Sequence, residues 1–129
     1  MEVKDIQSNC LDTLVVVDQI CKRHNLRYYL VGGTMLGAVR HGGFIPWDDD
    51  VDIAMPRADY EKFLRIAPEE LTKDRSLQTY SLVNYPIHFI KVIDNRTAVV
   101  EKSLKHQGLK TEIFIDVFPL DGVPNYLAP

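Results

Sequence analysis

The sequence predicts an α/β (α+β) domain with a mixed, largely antiparallel sheet and two packed helices. Apolar residues recur at helical spacing over residues 5–24 and 57–67, and several other segments show the two-residue alternation of strands. Glycine and proline turns separate these segments. The 129 residues, 46% of them hydrophobic, are enough to bury one core, so we expect a single domain over residues 1–129.

The charge balance argues against a nucleic-acid-binding protein. The formal net charge is −3, whereas proteins that neutralise nucleic-acid phosphates carry an excess of Lys and Arg, so we expect no nucleic-acid partner. Neither a signal peptide nor an apolar run of membrane-spanning length is visible, which predicts a cytoplasmic protein with no membrane span. Cys10 and Cys21 are then expected to be buried, reduced thiols.

The chain begins with a helical pattern followed by a short strand pattern. The apolar stripe of residues 5–24 predicts an amphipathic packing helix, and Asn25 is expected to end it. Residues 27–31, RYYLV, are aromatic and β-branched, which is typical of a strand. We expect these two elements to serve as a scaffold for the glycine-rich and acidic segment that begins at Gly32.

A glycine turn comes directly after this strand. Gly32 and Gly33 are expected to end the strand, and Thr34 is expected to cap a short helix of sequence TMLGAVR. Such an order of strand, glycine turn and helix N-terminus forms an anion site, because the free N–H groups and the helix dipole favour negative charge. A plain tight turn is the alternative for this segment taken alone. After a second turn, at residues 41–43, Trp47 is expected to pack under the turn.

The run DDDVDIAM at residues 48–55 is the acidic centre of the sequence. Side chains alternate along a strand, so Asp48, Asp50 and Asp52 are expected on one face and Asp49 on the other. Carboxylates this close repel one another unless a cation lies among them, and their oxygens suit Mg²⁺, Mn²⁺ or Ca²⁺. A solvated acidic loop is the alternative, but apolar residues flank the run on both sides.

The remaining segments predict one helix and several strands. Pro56 is expected to open the second helix at its first turn. The other expected elements, in order, are that helix to residue 67, a turn or short helical piece at 68–71, strands at 76–82 and 87–93, a short strand at 97–100, an exposed connection at 101–112, a last strand at 113–118 and a turn at 119–124.

Asp116 is a lone carboxylate in the otherwise apolar strand at 113–118. A buried carboxylate is costly unless it is paired or bound to a metal, so Asp116 is a candidate third carboxylate of one metal site. A salt bridge to Arg or Lys is the alternative. Arg40 and Lys91 are the candidate cations that would complete a phosphate clamp, and an exposed strand lysine is the alternative for Lys91.

These motifs together resemble a known superfamily. The Gly-Gly-Thr turn, the Asp50-x-Asp52 pair and the later Asp116 resemble the signature of nucleotidyltransferases with the DNA polymerase β-like fold. The interval from Thr34 to Asp50 is longer than is usual there, and HGGFIPWDD fills it. The run GGTMLGAVRHGGFIPWDDDVDIAMPRADYEKF, with the later KVIDNRT and FIDVFPLDGVP, closely resembles the LicD family, which is related to the fukutin group.

The resemblance implies a nucleotidyltransferase-like fold and a particular reaction. That reaction is the metal-dependent transfer of phosphocholine or a polyol phosphate from a CDP-linked donor, such as CDP-choline or a CDP-polyol, to a sugar hydroxyl of a cell-surface glycan precursor. The expected partners are therefore this small-molecule donor and a glycan or lipid-linked glycan acceptor. Contact with the membrane would be peripheral, through the acceptor.

The same resemblance implies roles for residues of this sequence. One or two Mg²⁺ or Mn²⁺ ions are expected to bind Asp50, Asp52 and Asp116, with Asp48 as a secondary ligand. One of these carboxylates is also a candidate general base toward the acceptor hydroxyl. The resemblance places Gly33, Thr34 and Arg40 toward the donor. Lys91 is expected to bind the donor as well, from its position in its strand and not from the resemblance.

Two alternative functions stay open at this point. A nucleotide-sugar glycosyltransferase also uses an Asp-x-Asp metal site, but a nucleotide-binding run of parallel strands would precede the pair. A non-catalytic nucleotide- or metal-binding module would keep the fold without turnover. Members of the LicD family are usually much longer than this chain, so we expect it to be a C-terminally truncated catalytic core.

Overall fold

In the computed structural model, residues 3–81, 88–96 and 113–121 are described. They form three helices and five strands. In chain order these are α1 (Val3–Arg23), β1 (Tyr29–Leu30), α2 (Gly32–His41), β2 (Asp52–Pro56), α3 (Arg57–Glu70), β3 (Arg75–Ser81), β4 (His88–Asp94) and β5 (Phe114–Leu120).

The strands form one mixed sheet in the order β1-β2-β5-β4-β3. β2 and β5 run parallel, with Asp52 opposite Asp116. The other three pairings, β1 with β2, β5 with β4 and β4 with β3, are antiparallel. The predicted mixed, largely antiparallel sheet with packed helices is therefore confirmed, and it agrees with a nucleotidyltransferase-like fold.

The apolar residues of α1 pack on the sheet as their helical spacing predicts. Val17 and Ile20 are fully buried, and the helix contacts β4 and β5. Asn25 adopts a left-handed φ of 56° just after the helix, a conformation that asparagine tolerates and that stops helix propagation. Cys10 and Cys21 are both buried and are not joined by a disulfide, as predicted.

Three sequence-based boundaries around α3 and β5 need correction. Pro56 is the last residue of β2 and the N-cap of α3 rather than its first helical residue. The helix continues to Glu70 with Pro68 inside it, because a proline near the C-terminal end removes only one helical hydrogen bond. β5 extends to Leu120, since Pro119 lies opposite Met55 of its parallel neighbour. The short strand expected at 97–100 and the connection at 101–112 lie outside the described residues.

The core lies between the sheet and the helices. Its members are buried apolar side chains from α1, α3, β2, β4, β5 and the residues that precede β2 and β5, among them Phe63, Ile53, Ile90, Ile115 and Val117. No helix in the described ranges is both long and apolar enough to cross a membrane.

Candidate active site

The site begins where the two parallel strands begin. Asp52 is the first residue of β2, and Asp116 lies directly opposite it near the start of β5. The two side chains are far apart in the sequence, yet they lie close enough for Asp116 to raise the pKa of Asp52. The predicted convergence of these two carboxylates on adjacent strands is therefore confirmed as geometry.

The electrostatics of Asp52 are those of a carboxylate among other carboxylates. Burial, together with the neighbouring carboxyl group of Asp116 and its negative charge, raises the pKa of Asp52 to about 6. The charges of Asp50 and Asp48 act in the same direction. A proton can relieve this repulsion, and so can a cation, because either one neutralises the crowded negative charge.

The acidic run before β2 is a turn and not part of the strand, so the predicted alternation of Asp48, Asp50 and Asp52 on one strand face is wrong. The Asp48 N–H donates to the Ile45 carbonyl at 2.9 Å, and the Asp50 N–H donates to Asp48 Oδ1 at 3.1 Å. These local bonds explain why residues 48–50 do not form a strand, because an aspartate side chain that accepts a nearby N–H competes with the backbone hydrogen bonds of a strand.

Because the run is folded into a turn, Asp49 is not directed away from its neighbours. Oxygens of Asp48, Asp49 and Asp50 all lie within 4.8 Å of one another, so a cation could contact all three. Strand alternation would have placed Asp49 on the opposite face. The three consecutive aspartates were themselves the signal for this cluster.

Gln7 of α1 holds the acidic turn in place from outside the sequence motif. Its Nε2 donates to the Asp48 carbonyl at 2.6 Å and to the Ile45 carbonyl at 3.2 Å. No motif in the sequence indicates this role, since Gln7 lies in the predicted packing helix. The first helix therefore positions the acidic turn as well as covering the sheet.

The glycine turn brings backbone against these carboxylates. Gly32 has a left-handed φ of 58°, and a Cβ there would lie 3.6 Å from Asp52 Oδ2. At Gly33 a Cβ would come within 2.8 Å of Asp48 Oδ2, so any larger residue would displace that carboxylate. Backbone conformation thus favours glycine at position 32, and the close approach of a carboxylate favours it at position 33.

Thr34 does not cap α2 as predicted. The helix begins at Gly32, and Val31 at the N-cap position makes no side-chain cap hydrogen bond. The Thr34 hydroxyl instead accepts the Asp52 N–H at 2.9 Å, which ties the helix to the start of β2. The N-terminal turn of α2 still lies beside the acidic group, with the dipole direction that favours an anion.

Gly37 is a further positioning residue, and the sequence motifs did not single it out. The Gly43 N–H donates to the Gly37 carbonyl at 3.3 Å, and a Cβ at Gly37 would lie only 2.4 Å from the Gly43 carbonyl oxygen. The second glycine turn therefore packs directly on α2. A glycine inside a helical pattern was the available signal.

The predicted donor-binding cations occupy different environments. Lys91 lies opposite Asp116 on β4, with its Nζ 3.8 Å from Asp116 Oδ1 and over the ring of Phe114 at 3.4 Å. Arg40 is exposed in the last turn of α2, at the end away from the acidic group. The structure thus brings Lys91 to the site, but places Arg40 at the far end of the helix.

Trp47 is exposed, so the prediction that it packs under the second turn is wrong. Its relative exposure is 77%, and Val39 of α2 has a similar exposure of 79%. Phe44 and Ile45, which are partly buried, are closer to the core in this segment. The size and apolar character of a side chain therefore do not by themselves predict which residues of the FIPW segment are buried.

The residues present fit a hard divalent cation. Every candidate ligand is a carboxylate, and burial together with the negative groups around Asp52 raises its pKa, an effect that a bound cation would oppose. Oxygen-only ligand sets are typical of Mg²⁺, Mn²⁺ and Ca²⁺ sites. The described residues that offer such oxygens are Asp48, Asp49, Asp50, Asp52 and Asp116.

Comparison with known proteins identifies the family of this arrangement. The family model described as LicD/FKTN/FKRP, nucleotidyltransferase domain, matches residues 25–126, which include the glycine turn, the acidic run and β5. The chain belongs to this LicD family. The resemblance drawn from the sequence motifs is therefore confirmed.

Individual relatives agree with the family match. The chain is 36% identical over 127 residues to the lipopolysaccharide cholinephosphotransferase LicD of Haemophilus influenzae. It is 46% identical over 44 residues to the ribitol 5-phosphate transferase FKRP of human and mouse, a match that covers 34% of this chain and 9% of FKRP. An uncharacterized protein of Rickettsia typhi is 43% identical over 51 residues, covering 40% of this chain and 16% of that protein.

The match to LicD covers very different shares of the two aligned sequences. The match to LicD of Haemophilus influenzae covers 97% of this chain but 46% of that protein. The chain therefore spans about half the length of this relative.

Proposed function

We propose that this chain is the catalytic core of a metal-dependent phosphotransferase. It would transfer a phospho-alcohol, either phosphocholine or a polyol phosphate, from a CDP-linked donor to a hydroxyl of a cell-surface glycan precursor. The observation that carries the proposal is the pairing of Asp52 with Asp116 beside Asp50 and the N-terminus of α2. This arrangement puts cation ligands and an anion-binding helix end next to each other.

The two kinds of alcohol come from the names of the relatives. LicD of Haemophilus influenzae is named as a cholinephosphotransferase that acts on lipopolysaccharide, and FKRP as a ribitol 5-phosphate transferase. Both names describe transfer of a phosphorylated alcohol. The proposed acceptor is a glycan or lipid-linked glycan met on the cytoplasmic side of the membrane.

The proposed metal ligands are Asp50, Asp52 and Asp116, with Asp48 and Asp49 able to contribute from the turn. A bound Mg²⁺ or Mn²⁺ would neutralise charge on the transferred phosphoryl group and on the departing phosphate. Asp49 is an addition to the ligand set expected from the sequence. The crowding of carboxylates supports this role because it favours a bound cation over metal-free ionised groups.

Residues around the carboxylates have positioning roles in this proposal. The Thr34 hydroxyl fixes the start of β2 through the Asp52 N–H, and Gly33 lets the backbone approach Asp48. The first N–H groups of α2 would hold donor phosphate oxygens. Lys91 would hold Asp116 in orientation, and a carboxylate that is not fully engaged by the cation would accept the proton of the acceptor hydroxyl.

The glycosyltransferase alternative is less well supported. A nucleotide-binding run of parallel strands should precede the Asp-x-Asp pair in such an enzyme. Before Asp50, the structure has one two-residue strand, β1, and it pairs antiparallel to β2. The family assignment also favours phosphotransfer over glycosyl transfer.

The proposal is tested by donor binding and donor cleavage on matched variants. The ¹⁵N-labelled protein is titrated with CDP-choline and CDP-ribitol, with and without Mg²⁺, and release of CMP is measured in parallel. Asp52→Asn is the test variant, and Asp12→Asn, an exposed aspartate on α1, is the matched control. We expect Mg²⁺-dependent shifts at Gly33 and Asp50, and CMP release that falls by about two orders of magnitude or more in Asp52→Asn alone.

Two results would contradict the proposal in different ways. Binding of donor without any CMP release, in the presence of Mg²⁺ or Mn²⁺ and an acceptor glycan, would favour a binding module. Equal CMP release by Asp52→Asn and the wild type would show that the paired carboxylates are not the metal site.

A further inference from the structure

A cavity of about 250 Å³ lies beside the candidate active site, and the proposed reaction assigns no role to it. α1, α2, β1 and the second glycine turn surround it, and its lining residues are Leu11, Leu14, Leu30, Gly33, Thr34, Ala38, Gly42, Gly43, Phe44, Ile45, Asp48 and Val51. It therefore shares three residues with the site, Gly33, Thr34 and Asp48. A group attached to a phosphate at the N-terminus of α2 would extend directly into it.

The walls of this cavity are almost entirely apolar. Leucine side chains from α1 and β1, together with Phe44, Ile45 and Val51, make up most of the lining. Among the lining residues of the described chain, Asp48 is the one charged side chain, and no Lys or Arg lines the cavity. An occupant must therefore be apolar on its surface, and a positive charge on it would be favoured near Asp48.

We infer that this cavity is the subsite for the alcohol part of the donor and that it selects a quaternary ammonium group, the trimethylammonium end of phosphocholine, over a polyol. This inference rests on the proposed function and chooses between its two alcohols. The ethylene link of choline keeps the ammonium group close to the phosphate. With the phosphate beside Gly33 and Thr34, the methyl groups would contact the leucines and Phe44.

The same walls disfavour the other parts of the donor. A ribitol chain carries a hydroxyl on nearly every carbon, and each one buried against leucine without a partner costs free energy. The cytosine ring has donor and acceptor edges that need several hydrogen-bonding groups, and Thr34 and Asp48 are the polar side chains in the lining. A methylated cation loses little on leaving water, and the Asp48 carboxylate balances its charge while Asp50, Asp52 and Asp116 hold the metal.

Three phosphate esters separate shape from charge in a direct test. Phosphocholine, its neutral carbon isostere 3,3-dimethylbutyl phosphate, and ribitol 5-phosphate are titrated into the 129-residue protein in the presence of Mg²⁺, followed by NMR of backbone amides and leucine methyl groups. We expect phosphocholine to shift Leu14, Ala38 and Phe44 as well as Gly33. We expect ribitol 5-phosphate to shift Gly33 without Leu14 or Phe44, and the neutral isostere to bind about threefold more weakly than phosphocholine.

A pair of variants tests the cavity without risk to the fold. Ala38 lines the cavity at an exposed helical position, so Ala38→Leu should be accepted by α2 while reducing the space available. Val39, the next residue, is 79% exposed and does not line the cavity, so Val39→Leu is the matched control. We expect Ala38→Leu to weaken the binding of phosphocholine about tenfold or more, and Val39→Leu to leave this binding unchanged.

Several outcomes would overturn the subsite. It is wrong if no probe shifts Leu14 or Phe44, if ribitol 5-phosphate shifts them as phosphocholine does, or if Ala38→Leu weakens both esters equally. The CMP assay distinguishes this failure from failure of the proposed function. Equal cleavage of CDP-choline and CDP-ribitol would contradict the choline subsite and leave the proposed function standing. Phosphocholine binding in the cavity without cleavage of any CDP donor would contradict the proposed function and leave the subsite standing.

Discussion

Two carboxylate sites lie at the same end of the sheet and are stabilised in opposite ways. Asp94, at the end of β4, has no exposed side-chain surface, and the guanidinium of Arg96 donates to both of its oxygens, at 2.9 and 2.8 Å. Burial alone would raise the pKa of Asp94, but these bonds, the Arg96 N–H and the charge of Arg75 lower it. Asp52, two strands away, has other aspartates around it, and its pKa is raised.

This difference shows which part of this end of the sheet serves folding and which part is left for a ligand. At Asp94 the protein supplies its own counter-charge, so the carboxylate is satisfied in the free molecule. At Asp52 the side chain with the largest effect on the pKa belongs to another acid, Asp116. The lysine beside that acid, Lys91, is 3.8 Å away and also contacts two aromatic rings. A cation from solution is therefore expected to complete the second site and not the first.

The largest effect on stability is expected from removing the first carboxylate. Asp94→Asn should lower the free energy of unfolding by about 2–3 kcal/mol, because a buried charge-assisted pair is lost. Without metal, Asp52→Asn should leave stability unchanged or raise it, since a repelling charge is removed. Urea denaturation of both variants in EDTA measures the contrast. A loss in Asp52→Asn as large as in Asp94→Asn would contradict it.

The pH dependence of stability should have opposite signs at the two sites. The pKa of Asp52 in the folded state is raised to about 6, so its contribution to stability is full below its ordinary pKa and is lost as pH rises through 6. The pKa of Asp94 is lowered, so its contribution is present above the ordinary aspartate pKa and is lost in acid. Each site thus limits stability at a different end of the pH range.

For metal-free protein we therefore expect the free energy of unfolding to fall by about 1 kcal/mol between about pH 5 and about pH 7.5, after allowance for solvent screening. Asp52→Asn should flatten this slope, while Mg²⁺ should oppose it in the wild type. Urea titrations at several pH values in EDTA, on both proteins, make the measurement. An unchanged slope in Asp52→Asn would assign the dependence to other groups, such as the histidines.

The smallest effect concerns the bond between α2 and β2. Thr34→Val keeps the shape of the side chain but removes the oxygen that accepts the Asp52 N–H. We expect a loss of about 1 kcal/mol in stability and a few-fold weaker Mg²⁺ binding, because the N–H loses its partner and Asp52 is held less firmly. Thr34→Ser retains the hydroxyl and should restore metal affinity, measured by calorimetry. Equal Mg²⁺ affinities of Thr34→Val and Thr34→Ser would show that the Thr34 hydroxyl does not support metal binding.

The sequence predicted those features of this end of the sheet that depend on local pattern. The helices, the strand segments and the carboxylate pair were expected from periodicity and from the cost of burying Asp116 in an apolar strand. The acidic run was misjudged because a side-chain hydrogen bond from the Asp50 N–H to Asp48 outweighs strand alternation. Neither the pairing of Asp94 with Arg96 nor the support from Gln7 carries a motif.

Long-range pairing was beyond the reach of sequence pattern. The apolar sequence of β5 does not predict that the strand pairs parallel to β2 and antiparallel to β4. That placement depends on packing over many intervening residues, which local propensity does not encode. The exposure of Trp47 is a similar case, because Phe44 packs against the core in its place.

The order of the strands has a consequence for biosynthesis. β5, the last of the described strands in the chain, is the central strand of the sheet and supplies Asp116. A nascent chain that has not yet released β5 from the ribosome has β2 and β4 without the strand that joins them, and Asp52 without its opposite carboxylate. Capture of a metal ion by both strands can then occur only after synthesis has passed β5, so the ion would tighten the finished sheet and not a partly made one.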